Sequence, residues 1–330
     1  MRPFNLLSAE SPADAVSKVS SHHNAKFLGG GTNLIDLMKE DVERPEFLVD
    51  VERLNLSSIE ELSGGGLRLG ATATNADTAR DDRVRSRYPL LREAILSAAS
   101  PQLRNMATNA GNLMQRTRCY YFYDTDTPCH KRSPGSGCSA LHGFNRMHAI
   151  LGTSEKCIAT HPSDMCVALA ALNATVQVRG PEKDRSVSIL DFHRLPKDDP
   201  EKDHILAPDE LVWAIDLPAE GFSSNSYYLK IRDRESYAFA LVSVAAALRL
   251  SETTIEEARV GLGGVAHKPW RAFSVEEALI GREPSETLFE KVAKLAVTEA
   301  QGFGHNDFKL ELAPKAIAEA LLRAWKGHKA

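Results

Sequence analysis

No hydrophobic run in the 330-residue chain is long enough to cross a membrane. The longest apolar stretch of its C-terminal third, Tyr237 to Leu250, is broken by Ser243 and Arg249 and falls short of the roughly 20 residues a bilayer demands. It reads as a buried strand, and no membrane span is expected. A charge excess of one sign is missing as well: 40 Lys plus Arg stand against 44 Asp plus Glu, for a net charge of −4. That balance argues against a polyanionic partner, so no nucleic acid is expected. Residues Met1 to Ser8 contain no apolar core of a secretory leader, and no export signal is expected in the chain itself. Neither a GxGxxG fingerprint nor a GxxxxGK phosphate loop occurs. CxxC pairs, internal repeats and low-complexity tracts are likewise absent.

A 43% hydrophobic content over this length can build two cores, since single cores seldom grow past roughly 250 residues. The pattern opens with a strand at Arg2 to Leu7, a helix from a Ser11 cap with Pro12 in its first position to His22, and a strand at Ala25 to Leu28. Leu34, Ile35, Leu37 and Met38 recur at helical spacing until Pro45. Phe47 to Val51 reads as a third strand, Gly64 to Gly66 as a hairpin tip before Leu67 to Leu69, and Leu90 to Ser100 as a helix. Periodicity vanishes from about Arg116 to His161. It returns with a helix at Asp164 to Leu172 and strands at Thr175 to Arg179 and Ser186 to Ile189, before a polar run from Pro196 to Pro208. A domain boundary is expected near Pro218 to Ser224. Beyond it, three strands (Ser226 to Arg232, Ala238 to Leu250, Glu256 to Gly263) precede helices at Ser274 to Leu279, Ser285 to Ala300 and Pro314 to Lys326.

Three polar segments stand out against this background. Lys26-Phe27-Leu28-Gly29-Gly30-Gly31-Thr32-Asn33-Leu34 places glycines between a strand and a helix, where backbone N–H groups can approach an anion closely. Gln102 to Leu113 packs amides, a hydroxyl and a glycine into twelve residues, and Thr160 to Met165 opens a helix at Ser163 or Asp164. Taken singly, a tight turn, a polar network and a helix cap account for them.

Together these segments resemble the FAD-binding domain of the xanthine dehydrogenase and molybdenum-hydroxylase flavoproteins. Tyr228 to Arg232 and Val260 to Ala266 are similar to that family's C-terminal module. The resemblance implies an α+β protein. Residues 1–220 would be a vanillyl-alcohol-oxidase type FAD domain of two α/β subdomains split near residue 55, and residues 221–330 a sheet-plus-helices domain. It places the FAD diphosphate on Lys26 to Leu34 and the ribityl and diphosphate region on Thr108, Gly111 and Asn112. Ser163 and Asp164 would take the sugar and adenine end, and Lys230 would reach toward the isoalloxazine ring, unless it is a solvated strand lysine. Ala110 departs from the family's usual Gly-Gly-Asn at this point.

Five cysteines occur, at 119, 129, 138, 157 and 166. Spacing alone leaves an iron–sulfur cluster, zinc, disulfides and unpaired thiols open. The segments around Cys119, Cys129, Cys138 and Cys157 resemble the insertion, at about residues 116–160 here, that binds a [4Fe–4S] cluster in periplasmic aldehyde oxidoreductase flavoprotein subunits. The resemblance implies those four as ligands. Cys166 reads as a packed helix position, and His130, His142, His148 and His161 as surface or loop residues. Tyr120 to Tyr123 would shield a cofactor or pack the insertion.

The same resemblance implies an electron-transfer subunit with no catalytic side chain of its own. Electrons would come from a molybdenum-cofactor catalytic subunit through a small [2Fe–2S] subunit and leave to an external acceptor. A self-contained flavin oxidase and a zinc-bound scaffold are the alternatives. Localisation is expected to be periplasmic by co-export with a signal-bearing partner, with the cytoplasm as the alternative.

Overall fold

Ser11 is extended, its hydroxyl accepts a hydrogen bond from the Asp14 amide, and Pro12 occupies the first turn, so the first helix starts where its cap dictates. In the computed structural model, which describes residues 1–327, this helix (Pro12–Ser21) links β1 (Asn5–Ser8) to β2 (Ala25–Leu28). The two strands do not pair directly. β3 (Phe47–Asp50) lies between them, parallel to both. The glycine turn leaves the C-terminal end of β2, the end at which parallel sheets present their ligand crevices.

The second sheet is antiparallel throughout. β4 (Ile59–Glu61) and β5 (Leu67–Gly70) form the expected hairpin, and β6 (Thr175–Arg179) and β7 (Asp184–Ser188) form another. Between them runs β8 (Leu211–Leu217), giving the order β4-β5-β8-β6-β7. The sequence reading had no strand here. Asp216 of β8 takes a two-point contact from Arg68 of β5 (2.7 Å each) and a bond from Gln177 of β6 (2.8 Å). This central strand is therefore tied to both neighbours by side chains as well as backbone. Helices Pro89–Ser97 and Asp164–Ala171 pack together behind the sheet, and every residue of the second is buried.

The third sheet is a meander of β9 (Ser226–Ile231), β10 (Val242–Leu250), β11 (Ile255–Gly263) and β12 (Trp270–Arg271). Helices Phe273–Leu279, Glu286–Ala293 and Phe308–Lys326 share its core. The last begins six residues before the expected Pro314, which it contains. The middle one tightens into a 3₁₀ turn at Lys294–Val297 instead of continuing to Ala300.

The aperiodic segment holds only one short helix, Tyr120–Tyr123. Side chains bonded to its backbone order it, together with a small cluster of Phe122 and Cys129 against Leu37. Arg132 donates to the carbonyls of Tyr121 (2.6 Å) and Phe122 (2.9 Å). Asn145 Nδ2 donates to Phe303 O (2.7 Å), and Asn306 and Lys309 reach from the C-terminal module to the carbonyls of Ala149 (2.9 Å) and His148 (2.9 Å).

Candidate functional site

A cavity of about 670 Å³ opens between the first two sheets. Lys26, Phe27, Leu28, Gly29, Gly30, Gly31, Thr32, Asn33 and Leu34 form one wall, Thr108 and Gly111 a second, and residues 201–208 and 210–212 a third. The first two walls touch backbone to backbone. A Cβ on Gly30 would lie 1.7 Å from Met106 O, so glycine is obligatory there for packing, before any ligand is considered. The helix that follows, Leu34–Lys39, has only six residues, and the anion-binding capacity expected here rests on the turn's N–H groups more than on a helix dipole. Two buried polar atoms of the lining, Asn33 Nδ2 and Thr72 Oγ1, have no hydrogen-bond partner in the protein. Unpaired buried donors are costly, and a polar ligand in the cavity would satisfy them.

Asn112 stands beside this cavity and connects it to a second one. Its amide donates to Asn75 Oδ1 (2.6 Å), and its Oδ1 accepts from Ser163 Oγ (2.6 Å), which also caps the following helix at the Cys166 amide (3.0 Å). Ser163 and Asp164 line a smaller cavity of about 80 Å³, together with Cys119, Tyr120 and His148. Lys230 is no solvated lysine. Its ammonium donates to Asp164 Oδ2 (2.8 Å) and Ser97 O (3.0 Å), and the two charged side chains are 3% and 5% exposed. Tyr228 donates to the other Asp164 oxygen (2.7 Å), so strand β9 holds this carboxylate from two positions.

Cys119, Cys129, Cys138 and Cys157 all line one small pocket within the aperiodic segment, and all are free thiols. Burial pushes the Cys119 thiol up to about 12 and Cys157 up to about 11, against the pull of backbone N–H groups of Phe122 and Tyr121 on the first and Ala159 on the second. N–H groups of Ala140, Leu141 and Ile158 face Cys138 in the same way. This donor set suits thiolates. Among the described residues no three of the four sulfurs come within 4.8 Å of one another, whereas a tetrahedral zinc with Zn–S of about 2.3 Å would draw them to roughly 3.8 Å.

Cys166 is fully buried on its helix, with its thiol raised to about 12 by burial. Of the histidines read as surface or loop residues, His148 and His161 do lie in loops but are buried, 2% and 8% exposed. Without periodicity in this segment, nothing local marked which side chains turn inward. The His161 and His193 rings lie 4.3 Å apart, tilted by 56°, beside Cys166, and His193 Nε2 bonds to the Leu113 carbonyl (2.9 Å).

A buried ionic network that no local pattern in the sequence marks joins the large cavity to the aperiodic segment. Arg116 pairs with Glu43 (2.5 Å) and Asp203 (2.7 Å), and Lys131 pairs with Asp203 (2.5 Å) and Pro200 O (2.6 Å). Burial alone would raise the Asp203 carboxyl, but the Lys131 and Arg116 cations override it and hold the group far below the ordinary carboxylate range. The signal lay in the polar run from Pro196 to Pro208, where Asp203 has partners 72 and 87 positions away.

Residues 2–220 match the family model described as the FAD binding domain in molybdopterin dehydrogenase, and residues 227–324 match the CO dehydrogenase flavoprotein C-terminal domain. The chain belongs to this flavoprotein family. It is 47% identical over 325 residues to the aldehyde oxidoreductase FAD-binding subunit PaoB of Escherichia coli K12, covering 98% of this chain and 99% of that one. The glyceraldehyde dehydrogenase medium chain of Sulfolobus acidocaldarius is 30% identical over 291 residues, 88% of this chain and 85% of that one. A chain of the carbon monoxide dehydrogenase structure from Hydrogenophaga pseudoflava superimposes with a TM-score of 0.77 at 24% identity, over 99% of each. The expected α+β class, an FAD domain followed by a sheet-plus-helices module, is the fold of this oxidoreductase subunit.

Proposed function

We propose that this flavoprotein carries electrons within a molybdenum-dependent aldehyde oxidoreductase and does not itself oxidise the aldehyde. The observation that carries the reading is the pairing of two sites in one body. One is a large cavity walled by the glycine turn and by Thr108 and Gly111, with unpaired buried Asn33 and Thr72 groups. The other is a pocket of four free cysteines. Full-length similarity to an aldehyde oxidoreductase FAD-binding subunit supports the substrate class.

In this reading residues 1–220 hold FAD. Lys26 to Leu34, Thr108 and Gly111 line its diphosphate and ribityl path, and Asn112, Ser163 and Asp164 continue that path into the second cavity, where Lys230 fixes Asp164. Cys119, Cys129, Cys138 and Cys157 ligate a [4Fe–4S] cluster. FAD supplies electron transfer singly or in pairs, and the cluster a one-electron site. The protein's own work is to position both groups and to exclude water through the network of Arg116, Asp203 and Lys131. A molybdenum-cofactor subunit and a small [2Fe–2S] subunit are the electron source, and an external acceptor the sink. The complex reaches the periplasm with a signal-bearing partner, and loss of this chain from the periplasmic fraction when that partner's signal is removed is the expected result.

Metal, acid-labile sulfide and flavin analysis of the purified protein tests the cofactor set. One FAD and about four irons on this chain are expected. Iron near zero with zinc present would overturn the cluster assignment, and reductive titration that leaves the cluster oxidised during turnover would make it a structural staple only.

A further inference from the structure

We propose that His148 donates a hydrogen bond from its Nε2–H to the Cys119 sulfur of the cluster and thereby raises the cluster's reduction potential, with Asn306 and Lys309 as the positioning residues that hold the imidazole there. The inference rests on the cluster reading above. His148 Nε2 lies 3.1 Å from Cys119 Sγ. A cluster-bound thiolate only accepts, so this nitrogen must carry the proton, and the buried Nδ1, which has no partner, is the unprotonated one. With the ring 2% exposed, water does not compete for the contact. Tyr120 and Tyr121 flank the imidazole at 6.4 and 6.3 Å.

The backbone that carries His148 is gripped from another domain. Lys309 Nζ donates to His148 O (2.9 Å) and Gly264 O (2.7 Å), and Asn306 Nδ2 donates to Ala149 O (2.9 Å). Both side chains are fully buried. A buried ammonium whose hydrogen bonds go to carbonyls is an expensive way to secure a loop, and the loop it secures is the one that presents the imidazole to the sulfur. Reduction adds negative charge to a cluster, and donors to its sulfurs favour the reduced state. Cys119 and His148 also line the same small cavity as Ser163 and Asp164. The tuned sulfur is thus the one that faces this second cavity.

The test is an EPR-monitored redox titration of the assembled complex, with the cluster separated from partner [2Fe–2S] signals by temperature. His148→Phe keeps a ring but removes the donor. It should retain iron and flavin while the reduced-to-oxidised ratio at fixed potential falls about tenfold, a downward shift of about 59 mV for a one-electron couple. His148→Gln, which restores a donor, should recover part of it, and Lys309→Met should shift the potential the same way by less. An unshifted potential in an iron-replete His148→Phe complex would overturn the proposal. Should that variant lose its iron, pulsed EPR on wild-type complex labelled with ¹⁵N-histidine decides: a weak nitrogen coupling to the reduced cluster is expected, and its absence refutes the bond. A wild-type complex without any [4Fe–4S] signal or iron on this chain would instead sink the cluster reading itself.

Discussion

Gly30→Ala is the sharpest perturbation of the cavity proposed to hold FAD. Its Cβ would sit 1.7 Å from Met106 O and 2.7 Å from Met106 C, against the 3.4 Å at which ordinary contact begins. Backbone atoms cannot rotate away as a side chain can, so the glycine turn and the segment before Thr108 must separate by about 1.7 Å. Overpacking of this kind costs about 1–3 kcal/mol, and if it is relieved by opening the cavity, FAD affinity falls by about 5- to 150-fold. The rigid neighbour puts Gly30→Ala near the upper end. Gly29→Ala meets only the Thr108 hydroxyl, at 3.0 Å, and should stay within about ±0.5 kcal/mol. Gly31→Ala, at a φ of +71°, should fall between, since the left-handed conformation costs a non-glycine residue roughly 1–2 kcal/mol. The assay is flavin titration of the deflavinated protein, with thermal unfolding of each apo form as the control for folding. Wild-type FAD affinity in a folded Gly30→Ala protein would refute the idea that the close approach of the two walls shapes the site.

Lys230→Met removes one partner of a pair that is 3% and 5% exposed and should cost about 3–5 kcal/mol in thermal unfolding, with Asp164→Leu in the same chain recovering most of it. Asp203→Asn leaves Lys131 and Arg116 facing a neutral group, so both flavin retention and iron content should drop together; a variant that loses neither would detach this network from the site. Cys138→Ser should abolish the iron that Cys166→Ala retains, measured by metal analysis. Burial holds His193 and His204 down to about 4 and His267 to about 3, below the roughly 6.5 of an unfolded chain. The unfolded state takes up these protons first, so their stabilisation is whole above about pH 6.5 and is lost as pH falls toward 4. Asp203, depressed by its cations, adds a further loss below about pH 4. A urea midpoint that stays flat from pH 7 to pH 5 would contradict the burial of neutral imidazoles.

Caps, turn glycines and strand periodicity were legible because they are local. Ser11 with Pro12 and the strand before the glycine turn needed no knowledge of the rest of the chain. Strand β8 was not legible: its burial does not alternate strictly, Asp216 interrupts the run, and the partners that satisfy Asp216 lie on β5 and β6, far away in sequence. For the same reason residues 201–208 and 210–212 read as a polar run and a gap, although they form a wall of the large cavity. In the insertion, burial follows side-chain bonds to distant backbone, as with Lys309 to His148 O, and no period in the sequence encodes that. Pro314 misled in the opposite direction. Proline favours a helix start, yet this helix runs through it.

Under the proposed function, this chain carries electrons that it does not extract from the substrate. Anaerobic mixing with an aldehyde, followed through the visible absorbance of the flavin, tests it most directly. The FAD-loaded chain alone should keep its flavin oxidised, and the complex assembled with its molybdenum-cofactor and [2Fe–2S] subunits should bleach it within the turnover time. Bleaching by the isolated chain would contradict the claim and make the protein an oxidising enzyme in its own right.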